Sequence, residues 1–286
     1  MIVIVGFIVV IGCVLGGFTW AGGHVAALIH PSEVLTIGGA ALGAMIIMSP
    51  KQVILDVIHG ILGTFKGSPF TKKHYQELLK LCFDIFREAR RDGILSLEKH
   101  ILDPHHSAIF SKYPLIMNNH HVSQFICEGL SSLVEGINHE QLAKRFETEI
   151  HIREEEHHAA VGVLSKVSDG LPGFGIVAAV LGIVITMAHI DGPVEEIGHK
   201  VGAALVGTFL GILASYGFIA PLASRMEFIG AEESGFYRTI ANVLTSYAET
   251  NQPKESLESA RRGISTVFRP SIAELDAILK DTEKAA

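Results

Sequence analysis

Not one lysine or arginine occurs in the first 50 residues, and Glu33 is the only charged residue among them. Charge is nearly as scarce in residues 169–222, which hold only Asp169, Asp191, Glu195, Glu196 and Lys200, although the chain carries 23 Lys and Arg and 30 Asp and Glu. Two blocks this poor in charge cannot serve as water-facing surface, so the distribution argues against a soluble enzyme, a disordered linker and a disulfide-rich secreted domain. Cysteine is scarce too. Cys13, Cys82 and Cys127 fit neither a paired disulfide framework nor a CxxC zinc site, and read as free thiols. No Lys/Arg-rich run appears and the net charge is −7, which leaves no basic footprint for nucleic acid. Walker and GxSxG sequences are absent, so no enzymatic activity and no cofactor are expected.

What is present is hydrophobic residue in long runs: 48% of the 286 residues are hydrophobic, and the mean hydropathy is +0.37. Ile2 to Trp20 is apolar apart from Thr19 and begins without a basic n-region, which favours a transmembrane helix over a signal peptide. A second apolar run covers Val34 to Met48, after a short turn with Gly22, Gly23 and Pro31. A third runs from about Leu171 to Ile190 and a fourth from about Val201 to Leu222, joined by a loop with Asp191, Gly192, Pro193, Glu195 and Glu196. Four spans put both termini on one side. Nearly all Lys and Arg lie in 51–168 and the tail, so the positive-inside rule places these segments in the cytoplasm and the connections near 21–33 and 191–200 outside. The expected organisation is therefore 1–50 with spans one and two, 51–168 as a cytoplasmic helical domain, 169–222 with spans three and four, and 223–286 as cytoplasmic C-terminal helices.

Periodicity in the water-facing parts is helical throughout. Tyr75, Leu78, Leu79, Cys82, Ile85, Phe86 and Ala89 recur at three- and four-residue steps with Gly93 placed to end the helix. A second stripe carries Val122, Phe125, Ile126, Leu130, Leu133 and Ile137. A third runs through Leu142, Phe146, Ile150, Val161, Leu164 and Val167 without proline until Pro172, and reads as one long rod entering span three. In the tail, Phe236 to Tyr247 and Leu257 to Val267 form two more stripes separated by Gln252-Pro253, and Ser271 with Glu274 has capping-box spacing. With no strand pattern the fold class is all-α.

Gly173-Phe174-Gly175-Ile176-Val177-Ala178 matches GxGxxA as a string, but it lies inside an apolar span and is rejected as a dinucleotide fingerprint. His139-Glu140 opens an HExxH match that fails at Ala143. His151, Glu155 and His158 share a helical face and with His157 could bind a divalent metal, but a solvated face is the simpler reading and no metal is expected. Spans three and four carry no carboxylate between Leu171 and Ala188 or between Val201 and Leu222. They carry hydroxyls instead, on Thr186, Thr208, Ser215 and Tyr216, with Pro172 and Pro221 near the two cytoplasmic ends. Hydroxyls can hydrogen-bond waters in an ion pathway but cannot alone relay a net charge at neutral pH, so a proton path would need a partner's carboxylate. Each of these hydroxyls could equally bond its own helix backbone. Three GxxxG pairs, Gly12/Gly16, Gly39/Gly43 and Gly207/Gly211, allow close helix approach, either within the chain or between subunits.

This constellation resembles the MotA family of bacterial flagellar stator subunits, from Met1 through about Pro270. The most specific stretches are Leu171 to Ala179 (LPGFGIVAA), Val206 to Leu213 (VGTFLGIL) and Tyr216 to Leu222 (YGFIAPL), with support from Gly38-Gly39-Ala40, Pro69-Phe70-Thr71-Lys72, Gly93 to Glu98 and Tyr113-Pro114. The resemblance implies a bacterial inner-membrane protein forming a ring of five copies around two copies of MotB, whose span supplies an aspartate and whose outer domain grips peptidoglycan. It implies that Thr208 and Tyr216 line the ion route with Thr186 on the same spans, and that Pro172 and Pro221 couple protonation to movement. Sodium-driven relatives carry a threonine where this chain has Ala179, which favours protons as the coupling ion. The resemblance also implies that Arg90 and Glu98 meet complementary charges on FliG of the rotor, with Arg91 beside Arg90 as the competing register. The alternatives are an ExbB-like or TolQ-like subunit energising an envelope protein, and a passive membrane scaffold.

Overall fold

The computed structural model describes residues 2–188, 190–191 and 193–284, without the side chains of Glu196, His199 and 281–284. Gly192, in the connection between the third and fourth apolar runs, lies outside the described residues. In chain order the helices are α1 (Ile2–Trp20), α2 (Pro31–Met48), α3 (Lys51–Lys66), α4 (Lys72–Asp92), α5 (Glu98–Leu102), α6 (Pro114–Met117), α7 (His120–Val134), α8 (His139–Met187), α9 (Val194–Ile212), a π-helical segment (Leu213–Ile219), α10 (Ala220–Thr250), α11 (Pro253–Gly263) and α12 (Ile272–Lys284). Among the described residues there is no strand, so the fold is all-α. Among the described residues four helical stretches are long and apolar enough to cross a membrane: Ile2–Trp20, Val25–Met48, His139–Met187 and Lys200–Thr250.

The long rod read from the third stripe is a single helix of 49 residues with Pro172 inside it. Span two begins earlier than its apolar run suggests. Pro31 sits at the first helical position, where its missing N–H is no loss, and this draws Glu33 into the first turn of α2 instead of the preceding connection. The helix α3 has no counterpart in the sequence reading. Its polar residues are spaced among apolar ones that bury Val57 and Thr64.

The chain forms two compact units, Met1–Gly67 with Glu155–Ile229, and Ser68–Glu154 with Gly230–Ala286. The first has two small cores, one around Val57, Leu164, Leu222 and Met226, the other around Ile37, Ala41, Leu171 and Ala178. Its outward face is apolar, with Val5, Ile8, Leu35, Ile47, Val180 and Val184 all more than half exposed, as expected where lipid or neighbouring helices replace water.

The second unit has an ordinary water-soluble core. Phe70, just before α4, stacks on Phe236 at 4.0 Å and Phe86 of α4 on Tyr247 at 3.9 Å, so α4 and its lead-in are joined to α10 by large aromatic surfaces that bury deeply. Local chemistry sets the boundaries. Thr71 and His74 cap α4 reciprocally, Gly93 ends it at φ 89°, a conformation that disfavours a Cβ, and Pro253 opens α11. Ser271 and Glu274 form the expected box at α12, with Ser271 N–H donating to Glu274 Oε2 at 2.7 Å and Glu274 N–H to Ser271 Oγ at 3.1 Å. Val267 departs from its stripe: α11 ends at Gly263, and Val267 lies beyond it, 77% exposed.

Candidate functional site

Within the first unit, α8 and α9 meet along a seam of very small residues. A Cβ added to Gly175 would fall 2.8 Å from Gly207 O and 3.2 Å from the Cα atoms of Gly211 and Thr208, and one on Gly211 would fall 2.6 Å from Leu171 O. One on Gly182 would lie 2.8 Å from Ala204 Cβ. Backbones this close gain dispersion that larger side chains would forbid, which matters where lipid removes the usual hydrophobic drive. The Gly207/Gly211 pair therefore packs inside the chain. Cβ atoms at Gly12, Gly16, Gly39 and Gly43 would meet nothing within 4 Å.

The predicted pathway residues distribute unevenly on this frame. Thr208 Cα abuts Gly175, and the Ala179 backbone nitrogen lies 3.3 Å from the position a Gly207 Cβ would take, so both belong to the same crossing. Thr186 is buried and its hydroxyl donates to Gly182 O of its own helix at 2.8 Å. Tyr216 stands apart, 68% exposed on the π-helical segment.

Pro172 and Pro221 each interrupt the backbone ladder of their helix. Pro172 has no N–H to offer the carbonyl of Ser168, and Pro221 has none for the carbonyl of Gly217. Just before Pro221 the chain widens into the π-helical segment, where Ala220 N–H donates to Ser215 O; such segments are rare and mark local adjustment of the ladder. Ser168 Oγ reaches across to the same place, 3.3 Å from Ser215 O and 3.0 Å from Ser215 Oγ, and both serines are almost fully buried. One hydroxyl pair thus ties the two proline-bearing stretches together. Ser215 was visible in the sequence as a membrane hydroxyl; Ser168, just outside the apolar run, was not.

Glu33 is the residue that sequence reasoning placed least well. Its side chain is 8% exposed, and Oε2 occupies the point 2.7 Å from where a Gly207 Cβ would stand, with Ala178 Cβ and the Ala179 nitrogen flanking the same point. The signal was present as the one charge in 50 residues of apolar chain.

In the second unit, Arg90 and Glu98 are both exposed, on the last turn of α4 and the start of α5. Between them the chain turns at Gly93. The turn is held from beneath by Glu88, whose Oε1 accepts from Lys99 Nζ at 2.7 Å and pairs with His100 Nε2 at 3.0 Å, while His100 Nδ1 meets Ser107 Oγ at 2.7 Å. Burial pulls the Glu88 carboxyl upward, but the bonds from Lys99 and His100 outweigh it and hold it below the ordinary carboxylate value. Arg91 is engaged by Asp92 through two hydrogen bonds of 3.0 and 2.8 Å, and both Arg90 and Arg91 line a groove of about 410 Å³ between α4 and α11, together with Phe83, Arg87, Gln252, Pro253 and Lys254. Four cations around one groove make a surface suited to an acidic partner.

The histidine-rich face of α8 is not gathered into a cluster. Among the described residues no three His, Cys, Asp or Glu side chains are placed to hold a metal ion, and His157 Nε2 instead meets Met226 O at 3.0 Å.

Known proteins share this arrangement. The pattern of the family described as "Motility protein A N-terminal" matches residues 4–93, and that of the "MotA/TolQ/ExbB proton channel family" matches residues 117–233. Motility protein A of Salmonella typhimurium is 37% identical over 277 residues, covering 96% of this chain and 94% of that protein. Motility protein A of Escherichia coli is 35% identical over the same shares. Among solved structures, the flagellar MotAB stator complex from Bacillus subtilis superposes with a TM-score of 0.74 at 23% identity, covering 99% of this chain and 98% of that chain. That likeness concerns the fold.

Proposed function

The chain belongs to the motility protein A family, within the MotA/TolQ/ExbB proton channel family, and from that premise we propose that it is the ring-forming subunit of a flagellar stator. It spans the bacterial inner membrane four times with both termini in the cytoplasm. Five copies surround two copies of MotB, and the MotB span supplies an aspartate, the carboxylate that residues 170–187 of α8 and 201–212 of α9 do not carry. The complex named in the B. subtilis structure contains both proteins. The match of the motility protein A pattern to residues 4–93 favours this over an ExbB-like or TolQ-like role.

The observation that carries the reading is the α8/α9 seam. Neither helix carries a charged residue of its own over 170–187 or 201–212, their backbones pack against one another, and Pro172, the π-helical segment and Pro221 interrupt the regular ladder at the cytoplasmic end. A helix pair built this way keeps a partner's carboxylate in a low-dielectric setting, where adding a proton changes its interactions most. An inward proton neutralises that aspartate beside Thr208 and Ala179; the ring then steps around the MotB pair. The driving energy is about 2.3 kcal/mol per charge per 100 mV. The Ala179 side chain offers no oxygen to a metal cation, in keeping with protons as the coupling ion. No catalytic chemistry and no cofactor enter the cycle.

Torque leaves through Arg90 and Glu98 to FliG. Exposed ion pairs are worth only about 0–1 kcal/mol each, so contacts of opposite sign form and release as the rotor passes. Thr208→Val, produced with its MotB, tests the assignment. A stator variant should assemble at normal number in each motor and lose torque; full torque from a correctly assembled Thr208→Val would return the seam to a scaffold role.

A further inference from the structure

Resting on the stator reading, we infer that Glu33 is a second proton-carrying carboxylate, contributed by this subunit and lying in series with the partner's aspartate. Three features of the first unit lead there. The side chain is more than nine-tenths buried in the membrane-spanning unit. Its Oε2 lies against Gly207, beside Ala178 and Ala179, at the crossing where Thr208 and Ala179 meet. Finally, no hydrogen bond to the carboxylate is found among the described residues, and its oxygens are not sealed from water in the way that the unpartnered Glu232 Oε2 is. A structural carboxylate at such a place would be held by a cation or by several donors, because an ionised group in lipid that lacks them is costly.

Its depth fits a relay. About eight residues at about 1.5 Å each put Ala179 roughly 12 Å from the end of α8 at Met187, which is well inside a hydrocarbon core of about 30 Å. Because α2 starts only two residues before Glu33, the stretch above the carboxylate is closed by the short Val25–Leu28 turn, which packs against α9, and not by a full helical span. Water therefore has a short route from the outer side to the carboxylate. Gly207 is what lets the carboxylate reach the seam at all: any Cβ there would displace it.

The groups that face Glu33 leave it as the only described carboxylate at this level. On α8 no titratable residue lies between Asp169 and the helix end, and on α9 none lies between Val201 and Ile212, the nearest charge being Lys200, about two turns before Gly207 on the same face, with Glu195 further towards the start of the helix. The connection before α2 contributes His24 and His30, the latter paired to Ala27 O at 3.1 Å through Nε2. In the relay a proton from outer water binds a Glu33 oxygen, and the same carboxyl group then releases a proton to water or to the partner's aspartate. Glu33 returns to its starting state with no other reactant consumed.

The test uses the full chain with its MotB in a strain lacking its own stator. Wild-type rotation driven by protons checks the stator reading separately. Glu33→Gln keeps the shape and removes the proton site. It should enter motors in normal number and keep stall torque within about twofold, while low-load speed falls by about tenfold and loses its dependence on external pH; a positioned acid–base group contributes ~10²–10⁴, and water replaces part of this. Glu33→Asp should recover part of the speed with a displaced pH profile, a rescue that a space-filling role would not give. Low-load speed unchanged in Glu33→Gln at every external pH would overturn the inference. If Glu33→Gln fails to assemble, Glu33→Asp decides alone, since wild-type speed and pH profile there would equally overturn it. In parallel, infrared difference spectra of the purified complex in lipid should show a carboxyl band that responds to pH and shifts in Glu33→Asp; its absence would contradict proton binding even in a chain that does not rotate.

Discussion

The Ser168–Ser215 pair gives a prediction whose size follows from its geometry. Ser168 Oγ makes two hydrogen bonds, to Ser215 O at 3.3 Å and to Ser215 Oγ at 3.0 Å. Ser168→Ala removes both. Ser215→Ala removes only the hydroxyl–hydroxyl bond, because the carbonyl at 215 remains to accept from Ser168. Hydrogen bonds between membrane helices are worth about 0.6 kcal/mol on average and at most about 1.7, so Ser168→Ala should cost about 1–2 kcal/mol and Ser215→Ala about half as much. The double variant should cost no more than Ser168→Ala alone, since without the Ser168 hydroxyl the Ser215 hydroxyl has no partner across the seam to give up. In a double-mutant cycle the coupling energy then equals the whole Ser215→Ala effect. Unfolding of the purified complex in bicelles, followed by circular dichroism, measures all three variants. Strictly additive losses would show that the two hydroxyls act separately and would refute the idea that one latch joins the stretches before Pro172 and Pro221.

The seam makes a harsher prediction at Gly211. With Leu171 O at 2.6 Å and Gly175 Cα at 2.9 Å from the new Cβ, Gly211→Ala must push α8 and α9 apart by several tenths of an ångström, and should abolish assembled motors, counted by fluorescence of a tagged chain, while Gly12→Ala leaves their number unchanged. At the rotor-facing end, Arg90→Glu should reduce tethered-cell torque more than Arg91→Glu, because Arg91 shares its charge with Asp92 in an exposed pair worth about 0–1 kcal/mol; equal losses would undo the choice of register. Glu258, held down to about 2 chiefly by the Arg261 hydrogen bonds with help from Arg262, has a folded value below its unfolded one. It contributes stability above the ordinary carboxylate range that is lost as pH falls towards about 2. Glu258→Gln should therefore lower stability by no more than about 1 kcal/mol at neutral pH, the group being partly exposed, and by nothing in strong acid; thermal melts against pH read the difference.

Much of this architecture was legible because membranes and helices both write period and charge into sequence. The four spans, the 49-residue α8 and the capping box at Ser271 and Glu274 follow from apolar run length, proline spacing and local hydrogen-bond chemistry. The misplacements have a common cause: they turn on what lies across from a residue. Glu33 reads as a loop charge until Gly207 is seen to leave room for it, and Ser168 reads as ordinary polar surface until Ser215 stands opposite. Val267 fits a 3.6-residue stripe, yet the helix stops at Gly263 and leaves it in water. The helix α3 was missed because Gly60 and Gly63 weaken its local signal, whereas in the fold Gly60 admits the Met226 side chain. Site chemistry was similarly divided. Thr208 and Ala179 fall together on the seam as their span positions suggest, while the Thr186 hydroxyl is taken by its own helix at Gly182.

The most direct test of the central claim is rotation of tethered cells that lack their own stator and carry this chain with its MotB, with sodium and the proton gradient varied separately. Rotation should stop when a protonophore collapses the proton gradient and should be indifferent to sodium. Rotation that survives the protonophore and follows sodium would contradict the account of a proton-driven ring and the reading of Ala179 with it.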